Sequence, residues 1–332
     1  MIELANATNL EPWFTLPHGA SDLYVDQFAQ LVLGQLAAGR KIYIEHSNEV
    51  WNSAYPQGAE VQATGALLFG SLGDPFIWRL NAHGLRTAQI CRIFKNRFAA
   101  QASRVTCVLG AQAANSFTAT EATDCPLAVQ VGLRTTACRT DIDAVAIAPY
   151  FGNYLNLLVN TNELQNWSVG TMFNEIRTGG KLRDVYPNVA TPCTENRPPQ
   201  LTGTCSTSAL QEIVPWIRAH SQEASARNLR LVAYEGGQHL VGVFGAQDNV
   251  AVANLFVAAN RDQQMMDVYN TSLNLWRTNG GEMFMHFTLT FRAGKYGSWG
   301  ALESLTPTQR PPKAAAIDAF NAANPCWWTG CR

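Results

Sequence analysis

Two glutamates in this chain, Glu49 and Glu235, each end a short apolar run and stand among aromatic and small polar residues. The first lies in Tyr43-Ile-Glu-His-Ser-Asn-Glu-Val-Trp-Asn52, where an apolar stretch opens into Asn48 and Glu49 and then meets Trp51. A carboxyl group beside an aromatic ring loses hydration, and desolvation favours the protonated form that a general acid needs. Asn48 is a neutral donor and acceptor, suited to holding a sugar 2-hydroxyl. The second glutamate lies in Leu231-Val-Ala-Tyr-Glu-Gly-Gly-Gln-His-Leu240 and is followed by Gly236 and Gly237. Glycines there permit a tight strand exit and a close approach of substrate or backbone. Tyr234 alternates away from Glu235 along an extended chain, so a bulge is needed to bring its hydroxyl near. A carboxylate held by a phenol and other donors keeps its charge, as a nucleophile must. Either glutamate alone reads equally well as a carboxylate capping a strand–helix loop. Together, at the ends of separate strands, they match the pair that glycosidic cleavage uses. Their separation decides the outcome: about 5–5.5 Å gives a retaining double displacement, and a wider gap gives inversion.

The elements that must position them follow from the hydrophobic pattern. Candidate strands are Trp13–Leu16, Lys41–Glu45, Val105–Leu109, Ala144–Ala148, Arg230–Tyr234 and Met283–Leu289. Helical periodicity falls between them at Asp22–Ala38, Ala82–Ala102, Ser208–Arg227 and Asn249–Thr278, with a last helix at Pro312–Asn321. Strands alternating with amphipathic helices imply βαβ units and a parallel sheet. Six strands are two short of a closed barrel, and Met1–Asn6 reads as the end of a helix already under way. The expectation is an α/β chain, one (β/α)8 TIM-barrel domain over residues 1–332, with the first two β/α units outside the chain; a six-stranded open sheet is the alternative. Residues 152–215 are too long for a simple crossover and read as an insertion, containing Cys193, Cys205 and a helix at Val169–Leu182. Long insertions after a barrel strand either shape the cleft or merely decorate it.

These motifs resemble the clan A glycoside hydrolases, whose barrels carry an Asn-Glu acid/base after the fourth strand and a Glu nucleophile after the seventh. Asn48-Glu49 matches the first and Glu235 the second. The resemblance makes Trp13–Leu16 the third strand and Met283–Leu289 the eighth, with none left over. The phrases S-N-E-V-W-N and Y-E-G-G-Q look like those of secreted bacterial proteins labelled cellulose-binding or cellulase-like. The resemblance implies a retaining hydrolase of β-linked polysaccharide, most simply a β-glucan or cellulose-like chain. The family's arginine near the end of the second strand has no counterpart here, because this chain has no second strand.

Strand position adds further candidates. His18 ends the third strand, and Tyr150 follows the sixth, where the resemblance implies an aromatic or histidine beside the nucleophile. His286 lies on the eighth strand and Trp299 after it, where an indole can stack on a pyranose face. His286 reads more readily as a hydrogen-bonded core histidine. His46 is a weaker candidate to support Glu49, and Trp327–Trp328 beside Cys326 read as sugar-binding or as a seal at the barrel end.

Bulk properties narrow the field. Hydrophobic residues make up 47% of the 332 and charged residues 15%, which implies a sizeable core. A net charge of −1 without a Lys/Arg cluster argues against nucleic acid and anionic lipid as partners. No apolar run approaches the roughly 18 to 20 residues that span a bilayer. Eight cysteines imply an oxidising compartment. Local pairing is expected for Cys125 with Cys138, Cys193 with Cys205 and Cys326 with Cys331, leaving Cys91 and Cys107 as a fourth candidate pair; connectivity stays open at this level. Secretion is therefore expected, although no signal segment opens this chain. There is no G-x-G-x-x-G, phosphate loop, nucleophile elbow or H-E-x-x-H, so neither a cofactor nor a metal is expected. The rival reading from another class is a carbohydrate-binding protein without catalysis.

Overall fold

Central strands of a parallel sheet are covered on both faces, so they appear in sequence as unbroken apolar runs. A computed structural model describes residues 1–182, 208–329 and 331 and bears this out. Strands β1 (Trp13–Leu16), β2 (Ile42–His46), β3 (Val105–Gly110), β4 (Ala144–Ile147) and β5 (Arg230–Ala233) form one parallel sheet in sequence order. Every residue of β2, β3 and β4 is buried, whereas the edge strand β1 leaves Thr15 exposed. The expected α/β architecture is therefore present. Among the described residues the sheet has five strands.

The chain divides into two units. The first holds residues 1–147 and 219–234 and contains the whole sheet. Register places alternate residues on opposite faces. Phe14, Leu16, Ile42, Ile44, Val105 and Cys107 pack into one apolar cluster with Ile90, Cys91, Phe94 and Phe98 of the long helix Pro75–Phe98. Each such side chain contributes roughly 1.5–3 kcal/mol by burial. The opposite face carries Trp13, Tyr43, Thr15 and Glu45, paired across the β1–β2 ladder. The long helix begins seven residues before Ala82 because Asp74 caps it, its Oδ1 accepting from Phe76 N–H at 2.8 Å and Ile77 N–H at 3.1 Å. Pro75 follows as a pre-set first residue. Of Ser21 and Asp22, the two residues that could open the helix expected at Asp22–Ala38, Ser21 caps Asp22–Gln35, its Oγ accepting from Tyr24 N–H at 3.2 Å.

The second unit holds residues 148–218 and 235–332. The helix expected over 249–278 is two, Val250–Arg261 and Gln264–Thr278. They part at Asp262, whose backbone is extended and whose Oδ1 accepts from Gln264 N–H at 2.9 Å, a local cap that outcompetes helix continuation. Among the described residues Met283–Leu289 forms no ladder strand; Phe287 N–H donates to Gly236 O at 3.1 Å and Thr288 N–H to Trp299 O at 3.1 Å, both in loops.

Cys125–Cys138 and Cys326–Cys331 are disulfides, each with Cα atoms 5.7 Å apart. Cys91 and Cys107 are not a fourth bond. Both are buried thiols in the apolar cluster, and burial pushes the Cys107 thiol well up. The Cys193/Cys205 pair lies outside the described residues.

Three histidines of the first unit are buried and neutral. His83 Nε2 lies 3.1 Å from Gly110 O, which can only accept, so that nitrogen carries the proton. His83 Nδ1 is then the acceptor for His46 Nδ1–H at 3.1 Å, and a second proton on either ring breaks this contact. Burial holds His83 and His220 down at about 4, and burial together with the His83 ring holds His46 well below its ordinary value. Unfolded, all three return to about 6.5. Between those values the unfolded chain binds more protons, so stability is lost as pH falls from about 6.5 towards 4. Each histidine adds a slope of about 1.4 kcal/mol per pH unit in that window. Urea unfolding across pH 7.5 to 5 is expected to show a steep loss that His83→Gln reduces by about one proton; an unchanged slope in the variant contradicts the account.

Candidate functional site

The loop leaving β2 is held in an unusual conformation. Ser47 and Glu49 both have positive φ, 57° and 47°. A side-chain-bearing residue in this left-handed region costs roughly 1–2 kcal/mol, and such outliers gather at functional sites. Surrounding bonds enforce it. Ser47 N–H donates to Leu16 O at 2.7 Å, Asn52 N–H to Glu49 O at 2.9 Å, and Gln57 Nε2 to Asn48 O at 2.8 Å. The helix Pro56–Phe69 closes on the loop at Gly58, where a Cβ would stand 2.0 Å from Asn52 O.

Within this loop the Glu49 carboxylate is oriented from two sides. Tyr234 Oη donates to its Oε1 at 3.1 Å and Asn52 Nδ2 to its Oε2 at 3.2 Å. Tyr234 follows β5, its N–H still bonded to Ile147 O at 3.2 Å, so one strand end fixes the carboxylate carried by another. The Tyr234 hydroxyl thus serves Glu49. Asn48 is exposed, Glu49 partly so, and Trp51 is partly buried with its Nε1 unpaired among the described residues. His18 bonds Glu60 at 2.8 Å, which ties the β1 exit to the helix Pro56–Phe69. His46 turns to His83 rather than to Glu49.

Sequence reasoning missed Glu45. It is 2% exposed and accepts from Trp13 Nε1 at 2.9 Å, while the Trp13 and Tyr43 rings stack at 5.5 Å. Period-two alternation was the available signal, because Glu45 shares a face with Tyr43 and not with Ile42 and Ile44.

In the second unit, Glu235 opens a loop locked by its own backbone. Phe151 N–H donates to Gly237 O at 3.0 Å and His239 N–H to Phe151 O at 2.9 Å. Gly237 has φ of 142°, and a Cβ there would stand 2.7 Å from the Tyr269 hydroxyl. Tyr150 and Trp299 come together with two residues that sequence reasoning passed over, His239 and Phe287. Ring centroids lie 5.8 Å apart for Tyr150–Trp299, 5.5 Å for Tyr150–His239, 5.3 Å for His239–Trp299 and 5.9 Å for Phe287–Trp299. Burial holds His239 at about 4, so it is neutral at pH 7, and its Nδ1 accepts from Asn156 Nδ2 at 2.7 Å. Trp299 is fixed through Nε1 to Tyr296 O at 2.9 Å. His286 does not join this aromatic group. It bonds the Tyr269 hydroxyl at 3.2 Å, and burial with the nearby Lys313 holds it at about 3, in keeping with the core reading.

Among the described residues no group of three or more His, Cys, Asp or Glu side chains is arranged to hold a metal, and no helix is long and apolar enough to cross a membrane. No protein-family model matches the chain, and no curated protein matches it.

The Gly58 approach yields a paired test. Gly58→Ala forces the loop and helix apart and is expected to cost about 1–3 kcal/mol in urea unfolding. Gly34→Ala, on the helix Asp22–Gln35 with nothing within 4 Å, is expected to be neutral or to stabilise by up to about 1 kcal/mol. Equal effects from the two would refute the close approach at Gly58.

Proposed function

We propose that this protein is a retaining glycoside hydrolase acting on β-linked polysaccharide, β-glucan or cellulose-like chains first, with Glu49 as acid/base and Glu235 as nucleophile. The observation that carries the reading is the Glu49 loop: a carboxylate at the exit of a parallel strand, in a strained conformation, with a separate donor on each oxygen. Barrel enzymes keep their chemistry at that end of the strands. The five strands are read as the third to seventh of a (β/α)8 barrel. Two disulfides support secretion.

In this mechanism Glu235 attacks the anomeric carbon while Glu49 gives its proton to the departing glycosidic oxygen. The Glu49 carboxylate then takes a proton from water, and that water releases the sugar from Glu235. Tyr234, whose hydroxyl can donate to the ionised form or turn to accept from the protonated one, and Asn52 keep Glu49 in one orientation through both steps. Asn48 takes the 2-hydroxyl, and the rings of Tyr150, His239 and Trp299 offer π surface to pyranose C–H faces.

The test is reducing-sugar release from β-glucan, mannan and xylan. Glu235→Gln is expected to abolish release, Glu49→Gln to lower it on the order of 10²–10⁴-fold, and Tyr234→Phe to lower it about five- to tenfold, one hydrogen bond's worth. A wild type that binds glycan yet releases nothing would make the protein a binding module instead.

A further inference from the structure

Lys313 is 1% exposed, and its ammonium has poor company for a buried charge. Nζ donates to the Ser298 carbonyl and stands 6.0 Å from the centre of the Tyr269 ring. The carboxylate nearest in charge terms, Glu303, is already engaged by Arg261 at 2.7 and 2.8 Å. Burial brings Lys313 down to about 7. An isolated buried amine is a destabilising choice, and an apolar residue of similar shape is commonly tolerated or preferred at such a place.

Its bonds lead to the Glu235 loop. The Ser298 carbonyl that receives Lys313 also receives Gln238 Nε2 at 2.9 Å. Gln238 Oε1 in turn accepts from Leu240 N–H at 2.5 Å, so this side chain spans the loop from within. Gln238 N–H donates to the Tyr269 hydroxyl at 3.1 Å, and that hydroxyl stands 2.7 Å from where a Cβ on Gly237 would be. Tyr269 is held by His286 at 3.2 Å and lies under the Lys313 ammonium. Gln238 is thus clamped at its backbone by Tyr269 and at its side chain by Ser298, and Lys313 touches both clamps. All of these residues belong to one unit.

We propose that Lys313 and Tyr269 are positioning residues for Glu235, holding the Gly236–Gln238 backbone through the Tyr269 hydroxyl and the shared Ser298 carbonyl. The catalytic half of this inference rests on Glu235 being the nucleophile; the mechanical half does not. A merely structural lysine and a positioning lysine differ on replacement in the loop and in kcat, not in stability. If Lys313 only fills space, Lys313→Met leaves stability equal or higher and activity unchanged. If it positions Glu235, stability is equal or higher while the loop loosens and kcat falls, because a displacement near 1 Å at a reacting group costs on the order of 100-fold.

The experiment measures amide hydrogen exchange over residues 235–240 together with kcat and KM on whichever glycan the wild type cleaves, for wild type, Lys313→Met and Tyr269→Phe. The expected result is at least about tenfold faster exchange at Gln238 in both variants and a tenfold or greater fall in kcat with KM little changed. Exchange equal to wild type in both variants overturns the proposal, and so does faster exchange with unchanged kcat. Faster exchange in a protein whose wild type cleaves no glycan leaves the clamp standing and removes the glycosidase reading. Should Lys313→Met fail to fold, Tyr269→Phe carries the same test, since it deletes one oxygen and keeps the ring.

Discussion

The parallel ladder is the constraint on which the rest depends. Its hydrogen bonds are all made between backbones, and its inner strands are buried on both faces, so the chain has freedom only where it leaves a strand. Register then decides which side chains arrive at each exit. The pairing of Leu16 with His46 sets where Ser47 leaves β2, and the pairing of Ile147 with Ala233 sets where Tyr234 leaves β5. The bond from the Tyr234 hydroxyl to Glu49 spans 185 residues of chain and exists because of that register. A slip by one residue would turn both side chains to the other face.

Once the exits are set, local strain and close contact finish the arrangement. The left-handed residues Ser47 and Glu49 persist because three backbone and side-chain bonds, and a helix that can approach only at glycine, leave the loop no cheaper path. The Glu235 loop is governed in the same way by Gly237 against Tyr269. Buried neutral histidines add a second kind of constraint, since His46, His83 and His220 tie interior stability to their staying unprotonated. Stability and candidate chemistry therefore draw on neighbouring parts of the same strand exit at β2.

Five of the strands were legible from apolar runs, most plainly β2, β3 and β4, where burial on both faces leaves little choice of residue. The sixth was not: Met283–Leu289 is apolar enough for a strand, yet among the described residues it joins no ladder and Phe287 and Thr288 donate to loops, and no local signal separates the two cases. Helix starts were legible where a side chain caps, as at Ser21, and misjudged where the apolar stripe begins later than the cap, as at Asp74. At the site, Glu49 and Tyr234 were each visible as residues, but their partnership depends on sheet register that one strand alone cannot reveal. His239 and Glu45 were hidden for a different reason. Each is a polar residue in an apolar setting, and its partners, Asn156 and Trp13, lie far along the chain.

The central claim is that Glu235 forms a bond to sugar. The most direct measurement is mass spectrometry of the protein after incubation with 2-deoxy-2-fluoro β-glycosides that carry an activated leaving group: the fluorine slows attack and release alike, and the leaving group restores the attack alone, so the covalent species accumulates. A mass increase of one glycosyl unit is expected, located on the peptide that contains Glu235. Labelling at another residue, or hydrolysis of the natural glycan with no covalent species and inverted product, would contradict it.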